Sequence, residues 1–211
     1  MPVADSAPVR LATAERQPLI VAAAVALAGR VSPGAVTTAD IAREVGVTQG
    51  ALFRHFASRE AIWLAVMDWV TQHLLVRLES AATRPAESES ATPALDALAR
   101  VFTAHVDFIV ECPGVPRLIF HDLQQPTDSP LKHQLGLLLQ RYRLLLSRLL
   151  QDAVRAGEAP ADLDVAASTT MFIGIAQGLA MQSILNGPGS DLRAEAARVL
   201  PLYLRSIRQT P

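Results

Sequence analysis

Two short helical stretches on either side of Gly46 constrain the fold of this chain more than any other feature. Helices that cross at a fixed angle need an early apolar residue, a small residue at the crossing and a glycine with positive φ in the turn. Residues 37–62 supply all of these at the required spacing, as Ile41, Ala42, Val45, Gly46, Val47 and Leu52. The spacing predicts a helix-turn-helix whose second helix is short enough to enter a major groove. A hairpin that binds nothing is the alternative, but it does not need this spacing.

Caps, prolines and glycines divide the chain into about nine helices, and no stretch has the pattern of a strand. Thr92 with Pro93, and Ser129 with Pro130, each place an N-cap residue before a first-turn proline. Polar residues 84–93 have no periodicity and predict a loose linker. The sequence therefore predicts an all-α protein, with helices at about 14–30, 37–45, 48–55, 58–83, 93–111, 116–123, 130–157, 164–186 and 190–208.

Charge and cysteine content exclude several classes of protein. The net charge is −1, from 19 basic and 20 acidic residues, which argues against a protein that coats polyanions. A single cysteine, Cys112, excludes an intramolecular disulfide framework and a multi-cysteine metal site, and it fits a reducing compartment. No catalytic motif is present, since the chain has no nucleophile elbow, phosphate loop or paired metal motif. We therefore expect neither an enzyme nor a cofactor.

One segment imitates an export signal, because Arg10 and Arg16 precede the apolar run 19–28. Asp5 and Glu15 put acid into the region that a signal keeps basic. No apolar stretch reaches the 18 residues that a membrane span needs. The expected location is the cytoplasm, with no membrane partner.

Residues 37–62, in which LFRHF is followed by SREA, resemble the DNA-binding domain of the TetR family of one-component transcriptional regulators. The resemblance covers about residues 14–67 with specific motifs, and the helix count extends it loosely over the rest. It implies an all-α homodimer, with a three-helix DNA-binding domain in residues 1–65 and a ligand-binding and dimerisation domain in residues 66–211. It also implies a repressor on a palindromic operator in double-stranded DNA. Binding of a small apolar or amphipathic effector would move the fourth helix and release the repressor from the operator.

The resemblance and the residue chemistry together predict the DNA contacts. Hydroxyls and free N–H groups at helix starts suit phosphates, Gln49 and Arg54 can read base edges, and small residues allow close approach. The predicted contacts are Thr37, Thr38, Thr48, Gln49, Gly50, Ala51, Phe53, Arg54, His55 and Arg59. The last two match family positions that contact the DNA backbone. Ordinary solvated polar residues are the alternative for Gln49 and Arg54.

Two residues depart from the family pattern. Phe53 stands where many relatives carry a tyrosine that meets a phosphate, so we expect apolar packing in place of that contact. Ala39 stands where some relatives carry a base-reading basic residue. Base readout is therefore expected to depend chiefly on Gln49 and Arg54.

A candidate effector pocket is expected among the helices after the linker. Its predicted lining is Phe102, His105, Ile109, Phe120, His121, Met171 and Phe172, although plain core packing is the alternative for each. His105 lies on an apolar stripe with Ile109 and Cys112. It is expected to bind a ligand by hydrogen bond, to bind a metal with Cys112 and His121, or to be a core histidine with a satisfied partner. The spacing of these residues does not favour a metal site.

The last two long helices carry small and apolar faces, including Gly174 and Gly178 four residues apart. In the family these helices form a four-helix bundle with their mates, which predicts a homodimer through them. Packing within one chain is the alternative. A binding module controlled by a protein partner, with no metabolite, is the remaining rival for the whole chain.

Overall fold

The computed structural model describes residues 13–83 and 92–209, and all regular structure within them is helical. Most of the expected linker, residues 84–91, lies outside the described residues, as do Asp5 and Arg10 of the signal-like segment. The helices are α1 Thr13–Arg30, α2 Thr38–Val45, α3 Gln49–Phe53, α4 Arg59–Thr83, α5 Pro93–Glu111, α6 Gly114–Leu123, α7 Pro130–Arg155, α8 Val165–Asn186 and α9 Leu192–Ile207. None of these helices is long and apolar enough to cross a membrane.

Most helix ends agree with the sequence prediction to within two residues. Helix α3 is shorter than expected, because it ends at Phe53 and Arg54 is its C-cap residue. Helix α6 starts at Gly114, so that Pro116 lies inside its first turn. Two short 3₁₀ turns, Pro33–Ala35 and Gly187–Gly189, were not predicted as helical.

Helices α2 and α3 are fixed relative to each other by a helix cap, by the turn glycine and by buried apolar residues, and the spacing had predicted the last two. Thr37 and Asp40 form a reciprocal capping box at the start of α2. Gly46 ends α2 with φ at 73°, a left-handed conformation that favours glycine. Ile41, Ala42 and Leu52 are buried between the two helices. The turn therefore fixes the direction in which α3 leaves the body of the protein.

Helix α6 packs closely against α1, and two glycines permit the contact. A Cβ atom at Gly114 would lie 2.0 Å from the carbonyl oxygen of Val25, and one at Gly29 would lie 3.4 Å from the backbone nitrogen of Gly114. The first 3₁₀ turn is also near α6, since a Cβ atom at Gly34 would lie 2.9 Å from the His121 ring. The helix that follows α5 is thus in direct contact with the predicted DNA-binding domain.

The larger core lies among α4, α5, α7, α8 and α9. Phe102, Phe172 and Tyr203 stack edge to face through its centre, with 5.4 Å between the centroids of Phe102 and Phe172 and also between those of Phe172 and Tyr203. Buried Glu158 accepts hydrogen bonds from the backbone of Ala94 and Leu95, so it caps the start of α5. The domain division predicted at residue 65 would fall inside the continuous helix α4, and it stays a prediction.

Candidate DNA-contacting surface and effector cavity

Helix α3 presents its polar face to solvent. Gln49, Gly50, Phe53 and Arg54 are exposed, while Leu52 is buried beneath them. The side-chain amide of Gln49 donates a hydrogen bond of 2.7 Å to the hydroxyl of Thr38. This bond holds Gln49 against the start of α2, and Ala51 lies half-buried beside it. An exposed helix with a fixed polar side chain suits contact with base edges.

The threonines at the helix starts are not equivalent. Thr37 donates its hydroxyl proton to Asp40 at 2.6 Å, and these hydrogen bonds lower the pKa of that carboxyl. The one proton of the Thr37 hydroxyl is therefore used within the domain in this conformation, and the predicted phosphate contact of Thr37 stays a prediction. Thr48 accepts from the Ala51 backbone at 3.1 Å and keeps its proton. Thr38 accepts from Gln49 and likewise keeps its own.

Phe53 does not pack as the sequence analysis expected, because 45% of its surface is exposed. The rest of the residue is covered, and fully buried Leu52 lies on the other face of α3. An exposed aromatic ring beside Arg54 is free to contact a sugar or a thymine methyl. The position therefore adds apolar surface to the candidate contact face.

Arg59 and His55 are tied into the domain. Arg59 donates from its two terminal nitrogens to the carbonyls of Pro33 and Gly34, each at 3.2 Å. The carbonyl of His55 accepts from Gln17 at 3.2 Å, and its ring Nδ1 is buried without a partner in the described part of the chain. Arg59 therefore anchors the first 3₁₀ turn to α4, a role that the sequence did not reveal. Its predicted phosphate contact stays a prediction.

A cavity of about 190 Å³ lies between α4, α5, α6, α7 and α8, and we call it the effector cavity. Its walls are mostly apolar, with His105, Tyr142 and Gln177 as the polar residues. The complete lining is Val70, Leu74, His105, Phe108, Ile109, Val115, Pro116, Ile119, Phe120, Leu123, Leu135, Leu138, Leu139, Tyr142, Ile173, Ala176, Gln177 and Ala180. An apolar chamber with few polar groups is typical of a small-molecule site.

The structure places three of the seven predicted lining residues, His105, Ile109 and Phe120, on this cavity. The other four predicted residues do not line this cavity, so the prediction is corrected for each of them. Phe102 and Phe172 are fully buried against each other in the core, and Met171 is 41% exposed on α8. His121 lies against Gly34.

Tyr142 and Gln177 line the cavity although they were not among the residues predicted from sequence. Tyr142 was visible on the apolar face of α7, but sequence cannot distinguish a core tyrosine from one that faces a void. Gln177 shares an i, i+3, i+4, i+7 stripe with Ile173, Ala176 and Ala180, and this spacing was a signal that could have found it.

His105 is a histidine with a satisfied partner, and it also lines the cavity. Its Nδ1 lies 3.1 Å from the hydroxyl of Tyr142. Burial lowers the pKa of His105 to about 4 and raises that of Tyr142, so both groups are neutral near pH 7. Within the described ranges, no three side chains of His, Cys, Asp or Glu converge as metal ligands. The alternative in which His105, Cys112 and His121 hold a metal therefore has no support in the described residues.

Comparisons with known proteins agree with this geometry. A sequence model of the family described as "Bacterial regulatory proteins, tetR family" matches residues 20–66. The nucleoid occlusion factor SlmA of Marinomonas sp. is 28% identical over 149 residues, which cover 70% of this chain and 72% of SlmA.

Two solved structures share the fold. The transcriptional regulator FadR of Bacillus subtilis, in complex with stearoyl-CoA, has a TM-score of 0.75 and 22% identity, with 90% of this chain and 99% of FadR covered. The ketosteroid transcriptional regulator KstR2 of Mycobacterium tuberculosis has a TM-score of 0.73 and 19% identity, with 92% and 96% covered.

Proposed function

Because this chain belongs to the TetR family of bacterial regulatory proteins and is a DNA-binding transcriptional regulator, we propose that it is a ligand-released repressor. It holds a palindromic operator and leaves it when a small apolar or amphipathic molecule fills the effector cavity. The observation that carries this proposal is the pairing of an exposed α3 with an apolar cavity walled by α6, the helix that packs on α1. The ligand acts only through its different affinities for the two conformations.

Arg54 is the best candidate for base reading. Among the other arginines in the described part of the first domain, Arg30 pairs with Glu44 at 2.6 Å, Arg43 pairs with Asp40 at 3.0 Å, and Arg59 is held by backbone carbonyls. Arg16 has no such partner within the described residues, but it lies on α1 and not on α3. Arg54 is exposed and forms no ion pair within the described residues. A free guanidinium at the end of α3 suits the O6 and N7 atoms of guanine.

The size of the cavity limits the ligand. Small-molecule pockets commonly measure about 300–1,000 Å³, and this cavity has about 190 Å³. The FadR structure is described with stearoyl-CoA, a much longer molecule. We therefore expect a smaller effector here than an eighteen-carbon acyl chain. The protein is expected to work as a homodimer in the cytoplasm, where an operator is accessible, and without a cofactor.

The test begins with selection of binding sites from random duplex DNA by the full chain. The expected result is a palindrome with half-sites about one helical turn, or a multiple of it, apart. Recovery of sequences without any shared motif would contradict the proposal. A thermal-shift screen then separates a small-molecule regulator from a partner-controlled module, because only the first is stabilised by a metabolite.

Substitution of the two arginines distinguishes base reading from backbone contact. Arg54→Ala is expected to lose discrimination between operator variants, since it removes a base-edge donor. Arg59→Ala is expected to weaken all sequences about equally and to lower the salt slope by about one. Fluorescence anisotropy at several salt concentrations measures both effects. Exposed Arg148 on α7 gives the control, Arg148→Ala, which should change neither. Equal loss of affinity in both test variants without a change in specificity or salt slope would refute these roles.

A further inference from the structure

A second cavity, of about 330 Å³, adjoins the effector cavity, and we call it the junction cavity. The two cavities share Ile109, Pro116 and Ala180 as walls. The junction cavity is also bounded by α1, α9 and the second 3₁₀ turn, so it lies where the DNA-binding helices meet the larger core. Its lining is Gly29, Ile109, Val110, Pro113, Pro116, Arg117, Ala180, Ser183, Ile184, Gly187, Ser190 and Leu192.

Arg117 is the one charged residue on that lining, and it has no carboxylate beside it. It is half-buried, and it forms no hydrogen bond or ion pair within the part of the chain that the structure describes. By contrast, Arg77 on α4 binds Glu111 through two bonds of 2.6 and 2.7 Å, and Arg193 on α9 binds Asp107 at 2.7 Å. A partly desolvated guanidinium without an anion is unfavourable, and a carboxylate matches its two parallel N–H groups.

The effector cavity sets the length of an apolar tail. Its volume of about 190 Å³ holds roughly six non-hydrogen atoms, at about 30 Å³ each, the share of one water molecule in the liquid. The polar pair in its wall is already satisfied, because His105 and Tyr142 bond to each other. The tail that fits is therefore apolar and short.

From these observations we infer that the effector is an anionic amphiphile of about eight carbons, whose carboxylate binds Arg117 in the junction cavity while its tail fills the effector cavity. This inference rests on the proposed function, and it gives the effector a chemical class. Gly29 of α1 forms part of the junction cavity, so the bound head group lies against the DNA-binding helices. The carboxylate, more than the tail, is then expected to distinguish the conformation that binds DNA from the one that does not.

The probes are octanoate and 1-octanol, which share a tail and differ in the head group. Binding of each to the full chain is measured by titration calorimetry, and release from the selected operator by anisotropy. Octanoate is expected to bind at least about tenfold more tightly than octanol, because hydrogen bonds to charged groups contribute that much. Octanoate is also expected to release the operator at concentrations where octanol does not.

Arg117→Gln isolates the head-group contact. It is expected to weaken octanoate about tenfold and to change octanol binding less than twofold, whereas the control Arg148→Gln should change neither. Arg117→Lys keeps the charge without the paired N–H groups and should give an intermediate affinity for octanoate. Thermal unfolding of each variant checks that it is folded, and the comparison of the two probes on the unchanged protein stands without any variant.

Three outcomes would overturn the inference. They are equal binding of the two probes, an octanoate affinity that is unchanged in folded Arg117→Gln, and no binding of octanoate to the unchanged protein. Each of them leaves operator selection untouched, so failure of the anionic class is distinguishable from failure of the proposed function. The latter fails only if no shared operator is recovered or no small molecule stabilises the protein.

Discussion

At the scale of single residues, the described arginines of the DNA-binding domain separate into engaged and free side chains. Arg30, Arg43 and Arg59 each have an intramolecular partner, while Arg54 at the end of α3 and Arg16 on α1 have none within the described residues. Exposed ion pairs contribute little to stability, so this arrangement matters mainly for the electrostatic field that DNA meets. Few free cations remain near the contact face, and operator affinity is therefore expected to depend on the helix starts and on dimerisation as well as on charge.

The buried imidazole of His105 predicts a loss of stability in acid. Its folded pKa of about 4 lies below the ordinary value of 6.5, so the unfolded chain takes up a proton that the folded protein refuses. The contribution of neutral His105 to the free energy of unfolding is complete above pH 6.5. It is lost, by at most about 3 kcal/mol, as the pH falls from 6.5 to 4. Urea unfolding at pH 7, 6, 5 and 4 measures it.

His105→Gln should flatten that pH dependence, whatever it costs at pH 7. The control is exposed His133, since His133→Gln should leave the slope between pH 6.5 and 4 as it is. A slope that is the same in all three proteins would show that His105 does not titrate across this range.

Sequence predicted the local geometry of the helix-turn-helix better than the lining of the cavity, and the reason is the range of the contacts involved. Gln49, Arg54 and the Thr37–Asp40 capping box belong to one short segment whose spacing fixes its own geometry. The cavity is formed by five helices that are distant in sequence, and a stripe of apolar residues has the same pattern whether it faces a void or a neighbour. Phe102 and Phe172 were therefore assigned to the lining, although they pack on each other.

At the scale of helices, the contact between α1 and α6 was not visible in the sequence. Helix positions followed from caps and prolines, but pairing between distant helices depends on side-chain volumes at the crossing. Gly114 and Gly29 meet there, and neither was assigned a packing role from sequence. Helix α6 also supplies Val115, Pro116, Ile119, Phe120 and Leu123 to the effector cavity. Helix α6 thus touches both the effector cavity and α1.

The glycine contact gives a prediction about stability. Gly114→Ala places a Cβ atom 2.0 Å from the Val25 carbonyl oxygen, so the two backbones must move apart. We expect a loss of about 1–3 kcal/mol or more in the free energy of unfolding, measured by urea denaturation. Gly136→Ala, at an exposed position of α7, is the control, because a Cβ atom there meets no atom within 4 Å. It should raise the free energy of unfolding by up to about 1 kcal/mol. Equal stability of the Gly114→Ala variant and the unchanged protein would contradict the close contact.

At the scale of the whole molecule, several large apolar side chains remain exposed on the last two helices. Met171 and Met181 on α8 are 41% and 38% exposed, Leu185 is 76% exposed, and Leu202 on α9 is 56% exposed. Gly174 and Gly178 add a smooth stretch to α8, since a Cβ atom at either would meet nothing within 4 Å. These features favour a second copy of the chain as the partner of this face, as the sequence predicted.

Charge introduced on that face should separate the subunits. Leu202→Glu and Leu185→Glu are expected to shift sedimentation velocity from dimer to monomer at micromolar concentration, because an interface buries charge poorly. Both should also weaken operator binding, which needs two recognition helices. Leu144→Glu on α7 is a matched control, with 65% exposure outside the proposed interface, and it should remain a dimer. A monomeric unchanged protein, or dissociation only in the control, would reject this interface.

The position of Gly29 on the wall of the junction cavity limits how freely the two halves of this protein can be exchanged. A chimera that joins the ligand-binding helices to a relative's DNA-binding domain would replace one wall of the cavity. A bulkier residue at that position would fill part of the space, so the hybrid sensor would differ from its parent in effector preference as well as in operator. With an effector bound as proposed, specificity for DNA and specificity for the ligand are coupled through α1, and a chimera is expected to keep its effector preference only when α1 is transferred with the helices that follow α4.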